Sequence, residues 1–240
     1  MKTAHGFRLS AIVPTLNEAA WLAGCLSGLA EQDRLGEILV VDGGSTDATR
    51  ALVRESQRTW RGAGIGLRWL EARPGRGVQL NAGAAAANEE ALIFLHADTV
   101  LPRGGVAAAA EAISAGFVGG AFTHRFLETD PRLRVISWYA NTRSRLSHVF
   151  FGDQGIFVGR DVFESLGGFN ALPIMEDLEF SGRLRRAGPT ALLPLPVRTS
   201  GRRFLAQGIA RTCVKMMWLR AAYHAGADPA GLARRYREVR

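Results

Sequence analysis

The chain has 240 residues, 47% of them hydrophobic and 22% charged, which fits a globular domain with a sizeable core and excludes a disordered or fibrous chain. Thirty Lys and Arg against 22 Asp and Glu give a net charge of +8, leaving nucleic acid, an anionic membrane face or an anionic small substrate as partner classes. Two unaccompanied cysteines, Cys25 and Cys213, exclude a disulfide framework or a cysteine zinc site; with no signal peptide and no apolar run near the ~18 residues of a membrane span, a cytoplasmic protein is expected.

The first half alternates. LSAIVPT (9–15) reads as a buried strand, 17–32 as a helix with Leu22, Cys25, Leu26 and Leu29 on one face and Asn17 as its cap, and EILVVD (37–42) as a second strand. A helix capped by Ser45 or Thr46 runs to about residue 58, GLRWLEA (66–72) is a third strand, and the loop RPGRG (73–77) precedes a helix through about residue 89. ALIFLHAD (91–98) is a fourth strand and PRGGVAAAAEAISAG (102–116) another helix. Such a series predicts a parallel sheet with crossover helices.

After about residue 116 the pattern changes: FVGGAFTHRFL (117–127) is a strand, RLRVISWYANTRSRL (132–146) a helix and FFGDQGIFVGR (150–160) a strand or hairpin. EDLEFSGRLRRAG (176–188) is a helix closed by Gly188, TALLPLPVRTSG (190–201) a strand broken by prolines, and 208–226 a helix closed by Gly226. The expected fold is α/β, mostly parallel with a mixed second half, in one continuous domain.

Polar residues gather at the predicted strand ends, the edge where open α/β sheets bind ligands. In PTLNE (14–18), Asn17 and Glu18 are either a cap with a first-turn acid or pocket residues. In VVDGGSTD (40–47), Asp42 precedes two glycines that form a tight turn or admit a ligand to the backbone. Asp98, with His96 two residues earlier, is a helix cap or an anchor for Mg²⁺ or Mn²⁺. Glu176 and Asp177 open a helix, where acids complement the dipole and where one can serve as a base. RTSGRRF (198–204) is a basic loop, and FGDQGIF (151–157) holds Asp153 and Gln154 between glycines. There is no P-loop, no G-x-S-x-G elbow, no second acid two residues after Asp42 and no nucleic-acid motif, and GAGIG (62–66) runs into a strand rather than opening a helix.

Taken in order, PTLNE, VVDGGSTD, the Gly/Arg loop, FLHAD, GGF…MEDLEF and RRF resemble the family-2 glycosyltransferases of the GT-A fold over roughly residues 8–205. The string 152–188 further resembles a small bacterial subgroup of stand-alone glycosyltransferases associated with radical-SAM, selenium (selenodomain) or arsenosugar-biosynthesis genes. The resemblance implies an inverting, metal-dependent transfer of a hexose from a UDP- or GDP-sugar. Pro14, Asn17 and Glu18 would line the nucleotide pocket, Asp42 would meet the base or ribose, and Arg76 the base or diphosphate. Asp98 would hold Mn²⁺ or Mg²⁺, and His96 stands where the family has a first Asp. Asp177, in the pair with Glu176, would be the general base. Arg203, or Arg202, would face the diphosphate, with Ser200 and Phe204 replacing the Gln and Trp of the family's last motif. That erosion, without membrane spans, implies a single transfer rather than processive synthesis.

By the same resemblance, residues 8–115 would hold the donor and 116–205, including Asp153 and Gln154, the acceptor, an anionic small molecule or a lipid. In the helical tail (206–240), Met216, Met217, Trp218 and Tyr223 lie among Arg211, Lys215 and Arg220. Their helical spacing favours packing, with a peripheral contact at the inner membrane face and a homodimer contact left open. Nucleic acid is not expected as a partner. A sugar-phosphate nucleotidyltransferase would carry a glycine-rich basic signature after the first strand, where PTLNE stands; a non-catalytic sugar-nucleotide or membrane-binding protein would have no use for Asp177.

Overall fold

Apolar strands joined by one-sided helices build the amino-terminal half: β1 (Leu9–Thr15), α1 (Ala19–Ala30), β2 (Leu35–Asp42), α2 (Thr49–Thr59), β3 (Gly66–Glu71), α3 (Arg76–Ala86) and β4 (Ala91–Phe94). A two-residue β5 (Thr99–Val100), α4 (Gly105–Ser114), β6 (Gly119–Phe126), α5 (Pro131–Ser147), β7 (Ile156–Gly159) and α6 (Arg160–Ser165) follow. The chain continues through α7 (Glu176–Ala187), β8 (Thr190–Thr199), α8 (Arg202–Gln207), α9 (Ile209–His224) and α10 (Pro229–Arg235). This is a computed structural model, and it describes residues 7–60 and 64–236. The first six residues, the start of GAGIG and residues 237–240 of the basic tail lie outside the described residues.

The strands form one eight-stranded sheet in the order β3-β2-β1-β4-β7-β6-β8-β5. β3, β2, β1 and β4 are mutually parallel, β7 runs antiparallel between β4 and β6, and β8 is parallel to β6 and antiparallel to β5. Both faces are covered, as parallel sheets require. On one face Leu9, Ala11 and Val13 of β1 pack with Leu22 and Leu26 of α1, Val53 of α2 and Val106 of α4. On the other, Ile12 joins Leu80 of α3 and Phe180 and Leu184 of α7. A smaller cluster of Ile174, Leu219 and Leu232, with Met175, Met216 and Tyr223 against it, ties α9 and α10 to the loop before α7. No helix among the described residues is long and apolar enough to cross a membrane.

Several local expectations change. Asn17 does not cap α1: it adopts a left-handed φ of 57° and its amide oxygen accepts from Thr46 N, 2.8 Å away. Neither Ser45 nor Thr46 caps α2, which begins at Thr49. α3 ends at Ala86, short of residue 89. The fourth strand stops at Phe94, so His96 and Asp98 lie in the turn beyond it, where Thr99 N bonds the His96 carbonyl. The 150–160 segment is a short 3₁₀ turn and one strand rather than a hairpin. β8 is continuous because a register shift between Phe122 and Thr123 leaves Pro194 and Leu195 in a bulge, with Pro196 paired to Thr123. α6, α8 and α10, each of six or seven residues, were not expected. They are too short to show a hydrophobic period.

Candidate functional site

The carboxyl ends of β1 and β2 carry two loops stitched by side chains. Asp42, 4% exposed, accepts bonds from Gly44 N (2.9 Å), Ser45 N (2.8 Å) and Thr15 Oγ1 (3.2 Å), so its carboxylate closes its own turn. Asp47 accepts from Ala19 N at 3.1 Å and Thr49 N at 2.9 Å, the first residues of α1 and α2. One carboxylate thus satisfies orphan donors of two helix termini. Buried Gln79 reaches from α3 to the Thr15 and Val41 carbonyls, both at 2.8 Å. Pro14 is buried past the β1–β4 ladder, whose last pair is Ile12 with Phe94, so its missing N–H leaves no strand partner unbonded on that side.

Arg202 joins the first and last motifs. Its guanidinium lies 2.8 Å from Glu18 Oε1 and 3.1 Å from Asp98 Oδ2, over the Trp21 ring. Glu18 Oε2 is buried without a hydrogen-bond partner. Burial pushes the Glu18 carboxyl above its ordinary value, against the downward pull of Arg202, and the nearby Asp98 charge adds to the rise. The Ser200 N–H donates to the Asp98 carbonyl at 3.1 Å, and Glu128 accepts from Gly201 N at 2.8 Å, fixing the turn that delivers Arg202. Arg203, one residue on, stacks on Tyr236 with its guanidinium 4.0 Å from the ring centre. Phe204 packs edge-on to Phe126.

A second group surrounds the start of α7. Asp177 Oδ2 accepts from Gly152 N at 2.7 Å. A side chain on Gly152 would lie 2.6 Å from His96 Nε2 and 3.2 Å from Asp177 Oδ2, so glycine lets imidazole and carboxylate close on one backbone position. His96, Gly152, Glu176 and Asp177 border a cavity of about 10 Å³, the room of one water. Glu176, 1% exposed, is ion-paired with Arg76. Burial disfavours the Arg76 charge, but Glu176 and then Asp177 outweigh it and hold its pKa well above the ordinary guanidinium value. Met175, just before this pair, has φ 67°, and the only other left-handed non-glycine residues among those described are Asn17, Arg34 and His148. Two of these four directly precede a cleft acid, where backbone strain tends to collect.

Of the two residues expected to meet an acceptor, Asp153 is 42% exposed. Gln154 is buried: its amide accepts from Ser144 Oγ at 2.9 Å and donates to the Phe122 carbonyl at 3.2 Å. It is therefore internally satisfied rather than presented to a cleft. The structure brings Glu18, Asp98 and Arg202 together, and separately His96, Asp177, Glu176 and Arg76; Arg203 and Gln154 join neither group.

Residues 10–167, more than half of the chain, match the family model described as glycosyl transferase family 2. The chain belongs to glycosyl transferase family 2. No curated protein sequence matches this family-2 chain. Among solved structures it is similar to the mannosyltransferase PcManGT from Pyrobaculum calidifontis in complex with GDP-Man and Mn²⁺ (24% identity, TM-score 0.69, 99% of this chain and 67% of that one). S. aureus TarS 1–349 in complex with UDP-GlcNAc is also similar, at 20% identity and TM-score 0.60 over 80% of this chain and 58% of that one. So is GalNAc-T7 with UDP, GalNAc and Mn²⁺, at 16% identity and TM-score 0.64 over 81% of this chain and 43% of that one. The family-2 chain thus spans two thirds of the first of these proteins and less of the other two, and it shares their GT-A fold.

The donor set fits a divalent cation only as a shared site. Among the described residues no group of three or more His, Cys, Asp or Glu converges to hold a metal. Asp98 and Glu18 instead converge on one guanidinium. Asp98 and Glu18 would suit a hard cation whose remaining ligands came from outside these two side chains. As site residues, Ser45 (read only as a helix cap), Asp47, Gln79 and Gly152 were missed in the sequence. Asp47 was legible as the last residue of VVDGGSTD; the bonds of Gln79 and the position of Gly152 depend on contacts between distant segments.

Proposed function

We propose that this protein transfers a hexose from a UDP- or GDP-sugar to an acceptor hydroxyl in a single step with inversion. What supports the reading is the Glu18–Asp98–Arg202 cluster, together with Asp177 held by the Gly152 N–H beside the same His96–Asp98 turn. The nucleoside diphosphate would displace Arg202 from Asp98, and its guanidinium would turn to the phosphate oxygens, for which its planar fork is suited. Asp98, with Glu18 beside it, would hold a divalent metal, Mn²⁺ or Mg²⁺, which would supply further positive charge for the leaving group. Asp177 takes the proton of the acceptor hydroxyl as its oxygen bonds to the anomeric carbon and the bond to the β-phosphate oxygen breaks. One base without a protein nucleophile gives inversion. His96 borders the same one-water cavity as Asp177, the Gly152 N–H orients the Asp177 carboxylate, and the Arg76–Glu176 pair holds the amino-terminal end of α7 in place.

The eroded last motif, with Ser200 and Phe204, favours single transfer over processive synthesis, and the resemblance of 152–188 to stand-alone bacterial members agrees with it. Titration with UDP, GDP and their sugars, with and without Mn²⁺, followed by thermal unfolding, tests the reading. A rise in Tm with one nucleotide diphosphate, larger with metal and lost in Asp98→Asn, is expected. No shift with any of them contradicts it.

A further inference from the structure

A surface helix normally turns its apolar stripe inward. α5 does the reverse. It buries Leu133, Ser137 and Ser144, and Asn141 bonds the backbone of His124 at 2.7 and 3.0 Å. The Ser137 hydroxyl is buried without a hydrogen-bond partner. Outward it presents Val135 (64% exposed), Trp138 (67%), Tyr139 (44%) and Leu146 (80%), a stripe at helical spacing. Trp138, Tyr139, Thr142, Arg143 and Leu146 line an open groove of about 370 Å³. Arg220 of α9 donates to the Tyr139 hydroxyl at 3.0 Å and brings α9, which exposes Val214, Met217 and Trp218, with Arg235 over the Trp218 ring, alongside α5.

Charge identifies the occupant. α5 and α9 together carry seven of the chain's thirty Lys and Arg and no Asp or Glu, so the rest of the chain is nearly neutral. Exposed aromatic and aliphatic groups ringed by cations match the interface of an anionic bilayer, where rings sit at headgroup depth and guanidiniums meet phosphate. A second copy would bring two such cationic faces together without a countercharge. Nucleic acid would satisfy the cations but gives Val135, Val214 and Leu146 no apolar partner. We infer that the face formed by α5 and α9 docks on an anionic lipid bilayer. Arg143, in the groove, stacks 3.6 Å from the centre of the Phe151 ring, next to Gly152 and hence to Asp177. If the transfer reading holds, docking seats the acceptor side of the cleft at the membrane surface; docking itself does not depend on that reading.

Flotation of the purified 240-residue chain with phosphatidylcholine vesicles, with and without one third phosphatidylglycerol, tests it. Binding to the anionic vesicles alone is expected, weakening with salt, and falling at least tenfold in Trp138→Ala/Leu146→Ser and severalfold in Arg134→Gln/Arg145→Gln. Each variant should keep the wild-type Tm and nucleotide-induced shift, since these side chains touch neither cleft nor core. Absence of flotation, equal flotation by wild type and both variants, or a light-scattering dimer lost in the apolar variant without vesicle binding, overturns the proposal. Flotation without any nucleotide-induced shift contradicts the transfer reading alone.

Discussion

Arg202 holds the position from which a cation would be read in the cleft, bridging Glu18 and Asp98 at 2.8 and 3.1 Å. Replacing it with Gln leaves two neighbouring carboxylates, one with a buried orphan oxygen, without their shared charge. Arg202→Gln is expected to weaken nucleotide diphosphate binding by about tenfold or more, the order of one lost charge-assisted bond of 1.5–3 kcal/mol. Isothermal titration checks it, and unchanged affinity would show that the guanidinium never turns to the donor. Gly152→Ala forces a methyl to within 2.6 Å of His96 Nε2, and the resulting shift of Asp177 by up to ~1 Å should lower turnover by about 10²-fold with donor affinity retained. The sequence marked Asp98, Asp177 and Glu18 as candidates beside helix-cap and dipole readings, and only the order of the motifs favoured them as site residues. The choice between Arg202 and Arg203 was not legible, because it depends on how the Ser200–Gly201 turn, held by Glu128, aims two adjacent side chains.

At the scale of elements, the parallel half was readable because buried strands and one-sided helices carry different periods. The second half was less so. β7 is four residues long, and β8 hides its continuity behind two prolines, one of them in a bulge. Cap positions were misread for a physical reason: Asn17 and Asp47 bond across to each other's loops rather than to their own helices alone. Asp47→Ala removes the acceptor for both helix starts. A loss of ~1 kcal/mol per bond, or about 3 °C in Tm for each, is expected by calorimetry. A Tm unchanged within error would mean that water replaces the carboxylate at both sites. The tail is legible only in part: Leu219, Met216 and Tyr223 pack as their spacing favours, while Val214, Met217 and Trp218 on the same helix face outward.

Across the whole molecule, Glu37 and His124 weaken the fold on acidification, opposed by Glu18, whose carboxyl burial raises. Partial burial pushes the Glu37 carboxyl up, but bonds from Arg68, Asn88 and Ser10 outweigh it and hold it below the ordinary 4.5. Its contribution is present above that value and is lost as pH falls through the lower folded value. Burial holds His124 below the ordinary imidazole value of 6.5, against the pull of Asp153, so unfolding takes up a proton and stability falls as pH drops below 6.5. Both act in the same direction: Tm should decline on acidification in two stages, and His124→Gln should remove the upper one and Glu37→Gln the lower. A Tm profile unaffected by either substitution would contradict these assignments. The central claim is the proposal that a donor end built on Asp98 and Arg202 works with a general base at Asp177. Its most direct test is the rate of nucleotide release from the stabilising UDP- or GDP-sugar by wild type and Asp177→Asn. Loss of a general base predicts a fall of about 10²–10⁴-fold with the nucleotide-induced rise in Tm unchanged. Equal rates in the two proteins would contradict it.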